Sequence, residues 1–198
     1  MNHSEIAQKI IDLKNNDFEL RESMKQNGLL GEGYNDEMAK LHDKNAMILE
    51  NIIDMIGYPV ADKVGKEANE AAWFVIQHSI GRPKFMRKCA RLLENEVKNK
   101  NADPQHFAYL SDRIAVLEGK PQLYGTQFDW DSIGLLNPDR FDDVSKVNER
   151  RKSIGLNNVQ DQTLVIRDQA KNENQLPPAD YQKRQKEIYE WKKSVGWL

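Results

Sequence analysis

Residues 103–127, DPQHFAYLSDRIAVLEGKPQLYGTQ, decide how this chain is read. Asp103-Pro104 opens a helix with an acidic cap and a proline at its first position, and Gly119-Lys120-Pro121 stops it. Between these signals Phe107, Leu110, Ile114 and Leu117 recur at helical spacing and form a core stripe. Tyr109, Asp112, Arg113 and Val116 share the neighbouring face. A phenol, a carboxylate and a guanidinium therefore project together from a mostly buried helix. The turn that follows adds Gln122, Tyr124, Thr126 and Gln127 around Gly125. Buried polar groups at this density need partners or a ligand.

Helical periodicity extends to both sides of this segment. Ile6, Ile10, Leu13, Leu20 and Met24 mark a helix from about Ser4 to Gln26, and a glycine-rich joint, GLLGEGYND, follows. A second helix, Asp36 to Ile56, carries Met38, Leu41, Asn45, Ile48, Leu49, Ile52 and Met55 on one broad face and stops at Gly57 before Pro59. Ala68, Ala72, Phe74, Val75 and Ile76 make a third helix, about Lys66 to Ile80, apolar on most sides and hence central. Pro83 begins a fourth, whose buried face is Phe85, Cys89, Leu92, Leu93 and Val97. Downstream, Gln122 to Trp130 alternates weakly and predicts an irregular element or short hairpin, and Asn137-Pro138 reads as the opening of a helix that continues to Ile154. A last amphipathic helix presents Tyr181, Ile188, Trp191 and Val195 as a docking stripe. The expected fold is all-α: a single-domain multi-helix bundle with a core at 36–160 and helical extensions at 1–35 and 161–198.

The 198 residues suffice for one sizeable core, and 39% hydrophobic with 30% charged residues excludes a disordered chain. Charge is nearly balanced at −2, which gives no overall attraction to nucleic acid or to an anionic membrane. The distribution is uneven, however: residues 1–57 carry eleven acids and six bases, whereas 82–100 carry two acids and seven bases. Lys84, Arg87, Lys88, Arg91 and Lys98 lack interleaved aromatics and read as a solvated face rather than a phosphate track. The single cysteine, Cys89, excludes an internal disulfide and a multi-thiolate metal site. No apolar run has the roughly 20 residues a membrane helix needs, and MNHSEIAQKI lacks the apolar core of a secretory signal, so a cytoplasmic location is expected.

Arg113 can clamp an anion at two points, with Asp112 as its orienter or as a base. The competing role for Asp112 and Arg113 is to fasten the helix to the next loop. The amides of Gln122 and Gln127 suit recognition of a sugar, base or peptide amide, or else satisfaction of a tight turn. His78 closes the third helix one residue after Gln77, where the helix dipole favours an imidazolium. Metal binding has little support in the spacing, since His3, His42, His78 and His106 include no i, i+4 pair and the side chains of His42 and Asp43 diverge; only a site assembled from distant residues stays open. No glycine-rich phosphate loop and no nucleophile elbow occurs, so no cofactor is expected either.

The ordered series His42-Asp43-Lys44-Asn45, Gly57-Tyr58-Pro59, Val64-Gly65, Ala71-Ala72-Trp73, Gln77-His78, Tyr109-Leu110-Ser111-Asp112-Arg113, Gly119, Gln122, Tyr124-Gly125-Thr126-Gln127, Val147, Glu149-Arg150-Arg151 and Gly155-Leu156 resembles a bacterial family known only as a domain of unknown function. The resemblance covers about residues 36–160. Members usually show Gly-Trp-Pro where this chain has Gly57-Tyr58-Pro59. The family has no established activity, so the resemblance implies a site without naming its substrate. It implies that Asn45, Gln77, His78, Asp112, Arg113, Gln122, Tyr124, Thr126 and Gln127 converge.

Three functions stay open on these residues. The leading expectation is a binding or regulatory module whose polar pocket recognises a small polar ligand or a polypeptide segment through Arg113, Gln122 and Gln127, with Asn45, Gln77, Tyr109, Tyr124 and Thr126 lining it. The second is a hydrolase or transferase acting on a nucleotide-like or glycosidic substrate, with His78 or Asp112 as acid or base. The third is a toxin-neutralising or effector-associated protein that uses the terminal extensions, with Trp191 and Trp197, as its working surface or for self-association.

Overall fold

Capping and breaking residues set the helix boundaries in the computed structural model, which describes residues 3–29 and 35–198. The glycine-rich joint expected at 28–36 lies partly outside them. α1 spans His3–Gln26. α2, Asp36–Ile56, starts where the Asn35 side chain accepts the amides of Glu37 and Met38, and it ends at Gly57. A one-turn α3, Ala61–Val64, precedes α4, Lys66–His78, and α5, Pro83–Lys98, begins on its proline. Together these elements form one compact unit, Met1–Asp103.

In this first unit α4 lies against both α1 and α2. Ala68, Ala71 and Ala72 are fully buried or nearly so, and their small side chains let neighbouring helix backbones approach closely. Leu49, Ile52, Ile76, Phe85, Met86 and Leu93 fill the core, each contributing roughly 1.5–3 kcal/mol of burial. The buried face of α2 is Met38, His42, Asn45, Ala46, Leu49, Ile52 and Ile53, rotated from the expected face; Met55, expected inside, is exposed. The charge asymmetry of the sequence is realised as ion pairs of α5 and the residue before it with α2. Lys88 meets Asp54 at 2.5 Å and Glu50 at 3.3 Å, and Arg82 meets Glu50 at 3.6 Å.

The second unit, Pro104–Leu198, contains α6 (Pro104–Leu117), β1 (Phe128–Trp130), β2 (Leu136–Pro138), α7 (Val144–Ser153), α8 (Val159–Asn172) and α9 (Tyr181–Val195). The chain thus forms two compact units that meet at residue 103. α1 buries Ile6, Ile10 and Leu13 in the first unit. α9 is tied into the second: Lys192 donates to the Val116 carbonyl at 2.8 Å, and Arg184 pairs with Asp129 at 2.8 Å. Trp197 is only 4% exposed.

The element expected at 122–130 is irregular through Gln127 and ends in the first strand of a small hairpin. Antiparallel β1 and β2 set Phe128 opposite Pro138 and Trp130 opposite Leu136. Asp131 closes the intervening turn by accepting the amides of Ile133 and Leu135 and the side chain of Asn137. Asn137-Pro138 therefore belongs to a strand and does not open a helix. A two-stranded ladder tolerates a proline at its edge, and the true helix cap is Asp143, whose side chain accepts the Lys146 amide. No described helix is long and apolar enough to cross a membrane.

Gly125 has φ +61°, and a Cβ there would lie 3.1 Å from Val159 and 3.6 Å from Val147. Gly28, with φ +67°, has nothing within 4 Å of the same position. Gly125→Ala is expected to destabilise the protein by about 2–4 kcal/mol, the sum of strain and overpacking, and Gly28→Ala by about 1 kcal/mol. Denaturant unfolding of the two variants measures the difference.

Candidate functional site

Polar residues on the apolar faces of three helices build a cluster in the first unit. The buried stripe of α1 runs Ile6, Ile10, Leu13, Asp17, Met24, so Asp17 occupies a position where helical spacing calls for an aliphatic residue. His42 and Asn45 sit likewise on the buried face of α2, and His78 is the last residue of α4. Asp17 Oδ2 lies 2.7 Å from His42 Nε2 and 3.0 Å from His78 Nδ1. The Asp17 side chain is 1% exposed, His42 8% and His78 29%, so the cluster opens outward through His78. Burial by itself would raise the Asp17 carboxyl. Hydrogen bonding to, and electrostatic interaction with, His42 and His78 outweigh burial and hold it well below the usual carboxylate range.

Neighbouring contacts fix this geometry. Asn45 donates to the Leu13 carbonyl at 3.0 Å, fastening α2 to α1 one turn from both Asp17 and His42. Phe74 packs on His78 with ring centroids 4.0 Å apart, and Phe18 stacks on Phe74 at 4.8 Å. Gln77 is buried beside His78 in the chain. Spacing arguments passed over Asp17 and His42 because their partners lie on other helices. The available signal was a charged residue interrupting an otherwise aliphatic stripe.

The other expected residues, Tyr109, Asp112, Arg113, Gln122, Tyr124, Thr126 and Gln127, belong to the second unit. There they form a clamp on the turn after α6. Gly119, at φ +68°, ends the helix and sends the chain back across it. Asp112 is wholly buried. Its Oδ1 accepts the Leu123 amide at 2.8 Å and the Tyr124 amide at 3.1 Å, while Oδ2 accepts the Thr126 amide and hydroxyl, both at 3.0 Å. Burial raises the Asp112 carboxyl, and these hydrogen bonds oppose it. With both oxygens occupied, Asp112 fastens helix to loop through backbone amides, and Arg113 turns instead to Gln127 Oε1 at 3.1 Å.

The amides of the turn are equally engaged. Gln122 Oε1 accepts the Gln127 amide at 2.7 Å, and its Nε2 donates to the carbonyls of Gln127 and Asp139 at 3.0 and 2.9 Å. Gln127 Nε2 donates to Thr126 Oγ1 at 3.1 Å and to the Tyr109 carbonyl at 3.4 Å. The far side of the turn is held by Arg151 of α7, 1% exposed, which donates to the Tyr124 carbonyl at 2.8 Å and to the Asn157 carbonyl at 2.5 Å. Arg150 adds a bond to the Leu123 carbonyl at 2.9 Å while pairing with Asp142.

In Asp112→Asn the new NH2 would face amide donors of the turn. This substitution is expected to cost about 2–4 kcal/mol in chemical denaturation, because at least one buried donor loses its acceptor.

No curated protein and no solved structure matches the chain. The model of a family of unknown function, DUF6624, matches residues 4–172, which include the Asp17, His42 and His78 cluster and the clamped turn. The chain belongs to this family of unknown function.

Proposed function

We propose that this chain is a hydrolytic enzyme whose reacting centre is the Asp17, His42 and His78 cluster. The observation that carries this reading is the convergence of two imidazoles from separate helices on one oxygen of a buried carboxylate, with one imidazole still reaching the surface. A staple between helices needs only one satisfied hydrogen bond. Three converging groups with graded exposure suit the activation of a small molecule at the open end.

Water is the nucleophile this arrangement favours. Cys89 is fully buried, and burial pushes its thiol above the ordinary range. Ser79, next to His78, is also buried, and its hydroxyl donates to the Val75 carbonyl at 2.7 Å. Recognition of a ligand through Arg113, Gln122 and Gln127 has less support, since those side chains would first have to give up hydrogen bonds within their own unit.

His78→Ala is expected to stay folded, because the side chain is partly exposed at a helix end, and to lose about 10²–10⁴ in turnover. Gln127→Ala is expected to melt earlier with unchanged turnover per folded molecule. The assay is hydrolysis of a panel of phosphoesters, nucleotides and glycosides by the full chain. Wild-type turnover in His78→Ala would sink the assignment.

A further inference from the structure

We propose that Asp17, His42 and His78 bind one divalent transition-metal ion of the zinc class, and that this ion activates the water. The inference rests on reading the cluster as the reacting centre. Asp17 Oδ2, His42 Nε2 and His78 Nδ1 are contributed by α1, α2 and α4, and one ligand atom from each residue lies within 4.8 Å of the other two. Metal to ligand distances of about 2.0–2.2 Å set neighbouring ligand atoms about 3.0–3.5 Å apart. The observed 2.7 and 3.0 Å spacings from Asp17 need to widen by a few tenths of an ångström, and the two imidazole nitrogens, within 4.8 Å of each other, need to close toward the same spacing by rotation of the partly exposed His78 ring.

A second observation is independent of that convergence. Asp17 Oδ1 is buried and has no hydrogen-bond partner among the described residues. A buried carboxylate oxygen left without a donor is costly, and a cation on this carboxylate would compensate it. Two imidazoles and one carboxylate suit zinc and its first-row neighbours, whereas magnesium and calcium favour sets made only of oxygens. Three protein ligands leave a coordination position for water, and His78 is the side that meets solvent.

The chemistry this supports is simple hydrolysis. The bound water gives up one proton, and its oxygen forms a bond to the electrophilic centre of the substrate. The bond to the leaving group breaks with its electron pair going to that group, which takes up one proton in turn. No oxidant or reductant is consumed.

The test uses tag-free full-length chain stripped with a chelator and titrated with Co²⁺ as a visible probe, followed by displacement with Zn²⁺. One equivalent is expected to bind with visible ligand-field absorption and to raise the melting temperature. His42→Asn and His78→Ala, checked for folding by circular dichroism, are expected to weaken binding by about 100-fold or more. His78→Ala keeps the test decisive should substitutions at the more buried positions fail to fold. Absence of stoichiometric Co²⁺ binding, or binding unchanged in folded His78→Ala, would overturn the metal site. Hydrolysis that survives complete metal removal overturns the ion's role and leaves the hydrolase standing. Tight one-equivalent binding with no turnover of any panel substrate supports the metal site and overturns the hydrolase.

Discussion

A charge taken out of water must be met inside the protein, and each unit of this chain is arranged around that requirement. Asp17 in the first unit and Asp112 in the second are both buried almost to completion. The answers differ in kind. Asp112 is met mainly by backbone amides, which are fixed in place, do not titrate and belong to one short turn. Asp17 is met by imidazoles, which titrate, ligate metals and come from two other helices. The same physical demand is therefore met by a backbone anchor in one place and by ionisable side chains from three helices in the other.

Local signals located the helices well. Asn35, Gly57, Pro83, Pro104 and Gly119 act within a few residues of themselves, and the structure starts or stops helices at or beside them. What failed was long-range. Pro138 resembles a helix opener in isolation, but its place opposite Phe128 is decided by a strand ten residues earlier. Which apolar faces meet, as with α1 against α4, is also decided beyond any local feature.

The polar motifs were legible as a dense set, and less so in their roles. Asp112, Gln122 and Gln127 attract notice because they are close in sequence, and closeness is what a turn clamp requires: most of its donors and acceptors lie within residues 109–127. Asp17, His42 and His78 are 25 and 36 residues apart along the chain. Residues scattered in this way meet only when three helices pack. His78 stood out by position at a helix end, while Asp17 was recognisable only as the wrong residue type for its stripe.

The turn at 123–126 is gripped from both sides, its amides by Asp112 of α6 and its carbonyls by Arg151 of α7. This arrangement bears on how the second unit opens. The amides of Leu123, Tyr124 and Thr126 exchange with solvent only when Asp112 releases them, and the carbonyls lose their donor only when α7 moves away. The turn therefore cannot fray independently as surface loops commonly do. Its exposure is tied to separation of two helices despite its irregular backbone.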